Sequence, residues 1–314
     1  MSRILDLLVR HRVAAAVCAL FLLQYAVPYP ALAVNVLIWG LFASGYNLLY
    51  GFTGQLSFGH AAFFGAGAYG CGIAMTRFGL PWAPAIAAGM ALAALIAAGV
   101  GFFATRSRGI YFAMITLALA QCVYFVFYQA QSWTGGENGL RGVASGRLGL
   151  FGLTLDITNP TVKFYFVFAF VALALWFFSR ILASPFGAVL EAVRENESRA
   201  RACGYSVAAT KWVSLVLSSL FCGLAGALDA IHLSVVPTEV LHYQTSGQVL
   251  MMALLGGAGT FFGPFVGAAL FLLLEDIASA YVSHWQLVAG AVFMCCVLFF
   301  PAGILGSLVR WLRR

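Results

Sequence analysis

Long apolar runs, broken by short clusters of Pro, Gly and charge, fill most of the chain. Ten such runs are candidate helices, at about 13–28, 31–50, 55–76, 82–104, 110–131, 161–181, 212–232, 246–261, 262–281 and 286–305. A helix crosses a bilayer core with about 20 apolar residues, so the pattern predicts ten membrane spans with short connections. The eighth is short and Gly-rich, which leaves a broken or re-entrant segment open there, and the third raises the same question. The first run ends in Pro28-Tyr29-Pro30 with no small-x-small cleavage site, so it reads as a retained span rather than a signal peptide.

The polar residues between the runs give orientation. With the N-terminus inside, the cytoplasmic face holds Arg3, Arg10, Arg12, Arg106, Arg108, Arg180, Arg194, Arg199, Arg201, Lys211, Arg310, Arg313 and Arg314. The outer face keeps Arg77, Arg141, Arg147 and Lys163. This bias toward the inside predicts an even number of spans with both termini in the cytoplasm. Two longer polar segments stand out. Ser132–Pro160 carries Gly135, Gly136, Gly139, Gly142, Gly146, Gly149 and Gly152, too many for a continuous helix, and reads as an outer loop. Ser184–Lys211 reads as a cytoplasmic amphipathic helix opened by Ser184-Pro185 and stopped at Gly204, with Val189, Ala192, Val193 and Ala200 on one face. Its charges fit intrahelical pairs Glu191–Arg194, Glu195–Arg199 and Glu197–Arg201. A helix of this size between two spans suggests a docking surface for a cytoplasmic partner.

Composition narrows the class. Of 314 residues 62% are hydrophobic and 9% charged, with a mean hydropathy of +0.95. A soluble domain carries roughly a quarter charged residues, so a soluble fold is excluded, and so is a disordered chain. The net charge of +7 is spread singly along the loops, which argues against a nucleic-acid-binding face. Six of the seven Cys lie in apolar runs and form no disulfide framework. The chain has no phosphate-binding Gly-Lys-Ser/Thr loop, no HExxH metal motif and no Gly-x-Ser-x-Gly elbow. Asp229, Glu275 and Asp276 are the acids nearest the spans, all toward the outer end, where a proton- or cation-coupled carrier would want carboxylates at mid-bilayer.

Polar groups inside apolar runs are the candidate transport residues, because unsatisfied polar groups are costly in hydrocarbon. Gln55, Ser57 and His60 at the start of the third span are expected to border a translocation path, with Thr116 and Gln121 on the fifth span as secondary candidates. TGQLSFGH at 53–60 echoes SGQVLMMA at 246–253, which adds Gln248; on the orientation above the two face opposite ways, as an inverted repeat would. His232, Glu239 and His242 form the one cluster that could suit a membrane enzyme, and a helix end with satisfied polar residues explains it equally well.

Seven phrases in order carry a resemblance: GFTGQLSFGHAAFFGAGAY, RSRGIYFAMITLALAQ, TGGENGL, SPFGAVLEAVRENESRARACGY, LAGAL, GGAGTFFGPFVGA and FFPAGILG. From about residue 50 to 306 the chain resembles the LivM-type permeases of branched-chain amino-acid ABC importers. Two positions depart from the family pattern: Gln121 stands where an acid is common, and the Glu-Ala-Ala…Gly coupling phrase survives loosely as Glu197 to Gly204 with Arg199 replacing Ala. The resemblance implies an all-α, RbsC-like permease, a single transmembrane domain over residues 1–314. It implies a LivH-type sister permease, two cytoplasmic ATPases and an extracytoplasmic substrate-binding protein as partners in a bacterial inner membrane. The chain itself would bind no cofactor, ATP and Mg²⁺ being held by the ATPases, and would not be an enzyme. Coupling to the ATPases would fall on residues 184–211, with Glu191, Arg194, Glu195, Asn196, Glu197, Arg199 and Gly204 as the residues concerned. Urea, short amides or other small carboxylates remain alternative cargoes, and an ion-independent channel an alternative mechanism.

Overall fold

A computed structural model describes residues 12–27, 29–143, 147–150, 153–156, 158–281, 284–300 and 303–307. Arg3, Arg10, Arg310, Arg313 and Arg314, and Gly146 and Gly152 of the Gly-rich loop, lie outside the described residues. The chain is an all-α polytopic membrane protein. Its helices are α1 (Arg12–Ala26), α2 (Pro30–Thr53), α3 (His60–Thr76), α4 (Trp82–Ala104), α5 (Ile110–Gln129), α6 (Pro160–Leu182), α7 (Pro185–Glu195), α8 (Glu197–Ala202), α9 (Val207–Leu233), α10 (Tyr243–Gly256), α11 (Gly263–Tyr281) and α12 (Trp285–Phe299). Among the described residues α2, α4, α5, α6, α9 and α11 are long and apolar enough to cross a membrane. The apolar helices α1, α3, α10 and α12 are shorter.

α2 and α9 form the centre and are buried along most of their length, while α4, α5 and α6 leave broad apolar faces outward, including Leu95, Phe125 and Leu173. Lipid tails are as apolar as Leu, so close backbone approach, rather than apolar burial, holds such a bundle together. Glycines supply that approach where α3, α4 and α9 meet. A Cβ at Gly67 would collide with the Gly223 backbone, one at Gly89 with the Gly67 carbonyl, and one at Gly226 with the Phe64 carbonyl.

Two helices start part-way along their neighbours. α2 ends at Thr53, capped by Gly54 in a left-handed conformation (φ 76°) that a side chain would strain. Residues 55–59 are non-helical, so the span expected from 55 begins at His60. The backbone of that segment is satisfied by side chains instead: Gly59 N–H donates to Ser57 Oγ (3.1 Å) and Phe58 N–H to Thr116 Oγ1 (3.2 Å). His60 meets Ser218, which lies 11 residues into α9, about 16 Å along it at 1.5 Å per residue. The second break follows α9. Residues 234–242 run back alongside α3, with Val236 beside Gly72, the Tyr69 hydroxyl donating to Thr238 Oγ1 (3.5 Å) and Leu241 filling the space a Cβ at Gly65 would take. α10 then begins at Tyr243, not at the expected 246, and ends at Gly256. The two breaks meet where Ala61 N–H donates to Ser246 Oγ (2.8 Å).

The Gly-rich connection is more ordered than its composition suggests. It contains a helical turn at Gln131–Thr134, a 3₁₀ turn at Gly136–Asn138, β1 (Leu140–Arg141) and a hairpin of β2 (Arg147–Leu150) with β3 (Leu153–Asp156). β1 pairs antiparallel with β4 (Val235–Val236), in the register Leu140↔Val236, and so stitches this connection to the second break.

The 184–211 segment is two helices, not one. Asn196 takes an extended conformation (φ −160°, ψ 103°), ending α7, and its side chain accepts from Arg199 N–H (2.9 Å) to cap α8. Three of the four residues expected on the apolar face, Val189, Val193 and Ala200, pack together with Val207 in a small cluster that does not include Ala192. The expected Glu195–Arg199 pair would have to span the break. The observed bridges run elsewhere, from Glu197 to Lys211 (2.5 Å) and to Arg108 (3.4 Å). Lys211 is thereby neutralised, and α9 starts at Val207 rather than at the expected 212.

Candidate functional site

A partly open cavity of about 710 Å³ lies between α5, the 234–242 segment and the start of α10. Tyr124, Phe125 and Tyr128 line it from α5, Glu137 from the 3₁₀ turn, and Glu239, His242, Thr245 and Gln248 from the second break and α10. These positions follow from local structure. Tyr124 and Tyr128 are four residues apart on one face of α5 and stack at 5.9 Å, and the Tyr124 ring meets His242 edge-on at 5.6 Å. Thr238 Oγ1 donates to Gly136 O (2.6 Å) and Thr245 Oγ1 to Glu239 O (3.1 Å), which folds the break against the 3₁₀ turn. The wall is aromatic on one side and carries carboxylate, amide and imidazole groups on the other. It can hold an apolar side chain and a charged or polar head together.

Gln248 also lines a second cavity of about 270 Å³ with Tyr29, Asn35, Trp39, Glu275 and Asp276. Tyr29 donates to Asp276 Oδ1 at 2.7 Å on its rim. Gln248 is therefore the expected path residue that faces open space, and it does so on both sides of α10.

The other expected path residues sit deeper. Ser57 and His60 are fully buried; His60 Nδ1 meets Ser57 Oγ at 3.2 Å and Nε2 meets Ser218 Oγ at 2.9 Å, while Ser218 donates to Gly45 O at 2.5 Å. This chain ties the first break to α2 and α9. Thr116 is buried as well, accepting from Phe58 N–H and donating to Ala113 O (2.9 Å). Gln55 is buried with both amide atoms unpartnered, and Gln121, half-buried one turn below Tyr124 and Phe125, leaves its Nε2 unpartnered. None of these five lines the large cavity. The cluster of His232, Glu239 and His242 divides: Glu239 and His242 line the large cavity, while His232 lies at a small one beside Lys163, whose Nζ donates to His232 O (3.0 Å). SGQVLMMA lies within α10, whereas TGQLSFGH straddles the first break, so the sequence echo does not align the two breaks.

Among the coupling residues, Glu191, Arg194, Glu195, Asn196, Arg199 and Gly204 are exposed. Gly204 has φ 90°, the left-handed turn expected of it. Three contacts here have no signature in the sequence. Arg194 Nη1 donates to Gly51 O at the end of α2, Asn47 clamps the 257–262 loop, and Glu197 joins Lys211 to Arg108.

A bundle of apolar helices with two broken segments in contact, beside a partly polar cavity, is the build of a multi-pass membrane protein with room for a small solute. The family model for the permease component of branched-chain amino acid transport systems matches residues 29–297, and the chain belongs to that family. It is 27% identical to the high-affinity branched-chain amino acid transport system permease protein LivM of Escherichia coli K12, over 87% of this chain and 69% of the relative. It is 26% identical to the probable LivM of Methanocaldococcus jannaschii over 41% of this chain and 38% of the relative. It is also 24% identical to LivH of Salmonella typhimurium, over 85% of this chain and 91% of the relative. No solved structure matches. Family membership makes the chain a transport subunit rather than an enzyme.

Proposed function

We propose that the chain is the membrane-spanning subunit of an ATP-driven ABC importer that moves branched-chain amino acids into the cytoplasm. The observation that carries this reading is the family match along most of the chain, together with relatives named as branched-chain amino acid permeases. In it the whole chain is one transmembrane domain of ten crossings in a bacterial inner membrane, with both termini cytoplasmic. The large cavity supports the cargo class: its aromatic wall suits a branched aliphatic side chain, and its Glu, His and Gln groups suit an α-amino acid head. The open wall of that cavity fits a sister permease of LivH type, with the path between the two chains and Gln248 on it. The buried Ser57, His60 and Thr116 then hold the first break in place, and Gln55 and Gln121 are amides that a second conformation can expose to cargo.

Two cytoplasmic ATPases, which would hold the ATP and Mg²⁺, dock on the exposed charges of α7 and α8, and an extracytoplasmic binding protein delivers cargo. Co-purification from the native membrane, identification of the associated chains and reconstitution in liposomes test this reading. ATP-dependent uptake of leucine, isoleucine or valine is expected. Uptake by this chain alone, without ATPase, would replace the importer with a facilitator, and uptake of urea or short amides in preference to amino acids would replace the cargo.

A further inference from the structure

Where α7 ends, one guanidinium joins three elements. The last four carbonyls of a helix lack intrahelical partners, and a cation near them is favoured. At the end of α2, Tyr50 O accepts from Gly54 N–H (3.1 Å), and Gly51 O accepts from Arg194 Nη1. The Arg194 stem lies along Gly54, where a Cβ would come within 3.2 Å of its Cγ. The third element is the loop 257–262 between α10 and α11. A Cβ at Gly259 would lie 2.7 Å from Arg194 Nη1 and 3.1 Å from Gly51 O.

Asn47, one turn back on α2, holds that loop from the other side. Its Nδ2 donates to Thr260 O (2.9 Å) and its Oδ1 accepts from Gly259 N–H (2.8 Å). Thr260 Oγ1 closes the loop by donating to Gly257 O (2.7 Å) and accepting from Gly263 N–H (3.1 Å). α7 itself is anchored by the fully buried Leu190 and by Val193. Asn196 then frees the following residues from the helix.

The connections beyond this point decide its meaning. α2 runs directly into the first break, with Ser57 and His60. The 257–262 loop ends α10, whose other end carries Thr245 and Gln248 into the large cavity. Both broken units therefore end at Arg194.

We propose that Arg194 is a transmission residue: its guanidinium fixes the end of α7 to the ends of α2 and α10, so that a displacement of α7 moves both broken segments together. This rests on the reading of 184–211 as the element that an ATPase displaces. A residue that merely helped α7 dock would change how much ATPase binds, whereas a transmission residue changes how much cargo moves for each ATP spent.

The test uses the whole importer in liposomes and measures cargo uptake per ATP hydrolysed, alongside crosslinking of the ATPase to cysteines at 199 and 201. For Arg194→Ala the ratio is expected to fall at least tenfold with crosslinking retained, and Arg194→Lys, which keeps one donor for Gly51 O, is expected to recover at least a third of it. Gly259→Ala, which presses on the guanidinium without removing it and also strains a loop residue held at φ 77°, should lower the ratio at least threefold and serves if Arg194→Ala does not accumulate. An unchanged ratio in Arg194→Ala, or in Gly259→Ala where the former does not accumulate, overturns the proposal. So does a loss of crosslinking that accounts for all the lost uptake. Failure of the 199 and 201 crosslinks in the unaltered chain, with success from residues 105–109, overturns the coupling reading instead and leaves the Arg194 ratio to be judged on its own.

Discussion

Removing Glu197 should loosen the 184–211 segment far more than removing its surface neighbour Arg108. The Lys211 side chain is 4% exposed and its ammonium meets Glu197 Oε1 at 2.5 Å, while Glu197 is itself 28% exposed. Glu197→Ala strands that ammonium among buried groups. Losing one partner of a buried pair costs about 3–5 kcal/mol, and the partial exposure of Glu197 puts this case near the lower figure, about 3 kcal/mol. At about 1.4 kcal/mol per tenfold, amide exchange in α8 and the first turn of α9 should accelerate roughly a hundredfold. Arg108, whose side chain is 58% exposed, touches the same carboxylate at 3.4 Å, and its removal should cost about 0–1 kcal/mol, at most about fivefold in exchange. Hydrogen exchange on the detergent-purified complex, read by mass spectrometry over 197–214, measures both. The double change Glu197→Leu with Lys211→Met removes both charges and should recover most of the protection. Equal effects of Glu197→Ala and Arg108→Ala, or a double variant as labile as Glu197→Ala, would refute the reasoning.

Other substitutions address different parts of the molecule. Gly223→Leu would press its Cβ to 2.6 Å from Ala93 where α9 crosses α4, and overpacking of this kind costs about 1–3 kcal/mol or more, so thermal stability in detergent should drop sharply. Gly99→Leu, with nothing within 4 Å of its Cβ, should be neutral in the same assay. Gly204→Pro demands φ near −65° where the chain holds 90°, so the protein should insert but lose ATP-linked uptake, as should the charge reversal Glu195→Lys with Glu197→Lys. Gln248→Leu should cut uptake at low cargo concentration at least tenfold with little change in melting temperature, whereas His60→Ala, which abandons Ser57 and Ser218, should cost about 1–3 kcal/mol of stability. If the Gln248 and His60 variants fail in the same way, the distinction between cavity wall and buried clamp is wrong.

The positions of most helices were legible because hydropathy alone sets them: α4 and α6 fall within a residue of the expected runs. Their interruptions were not. Gln55-Leu56-Ser57 is no less suited to a helix than neighbouring residues, and the break there depends on a bond from Phe58 to Thr116, 58 residues away. Lys211 looked like a terminator of an apolar helix because its partner, Glu197, was assigned to pairs within its own helix. A usable signal did exist at Asn196, a good N-cap followed at once by Glu197 in the first turn of α8. Of the residues lining the cavity, Gln248 stands out in the sequence as a path candidate, whereas Glu239 and His242 stand out there only as part of a cluster that could suit an enzyme. Tyr124, Tyr128 and Thr245 were missed, since aromatic and hydroxyl residues on an apolar helix look the same whether they face a cavity or a neighbour. Arg194 reads in the sequence as the partner of Glu191 and as a coupling residue, and its bond to Gly51 connects residues 143 apart.

The clamp from His60 through Ser218 to Gly45 has a bearing on how the chain is made. Its halves lie 158 and 173 residues apart in sequence. At about 5–20 residues per second, synthesis leaves the imidazole and the α2 carbonyl without their serine for roughly 10–30 s. During that interval the first break and the Gly45 carbonyl sit in the membrane without α9 to cover them, and Asn47 waits longer still for the 257–262 loop. α2 must then either linger at the insertion machinery or shelter against α3 and α4 until α9 arrives. A ribosome stalled before residue 207 would leave a product with every early helix inserted and its polar centre open, the kind of intermediate that membrane proteases remove.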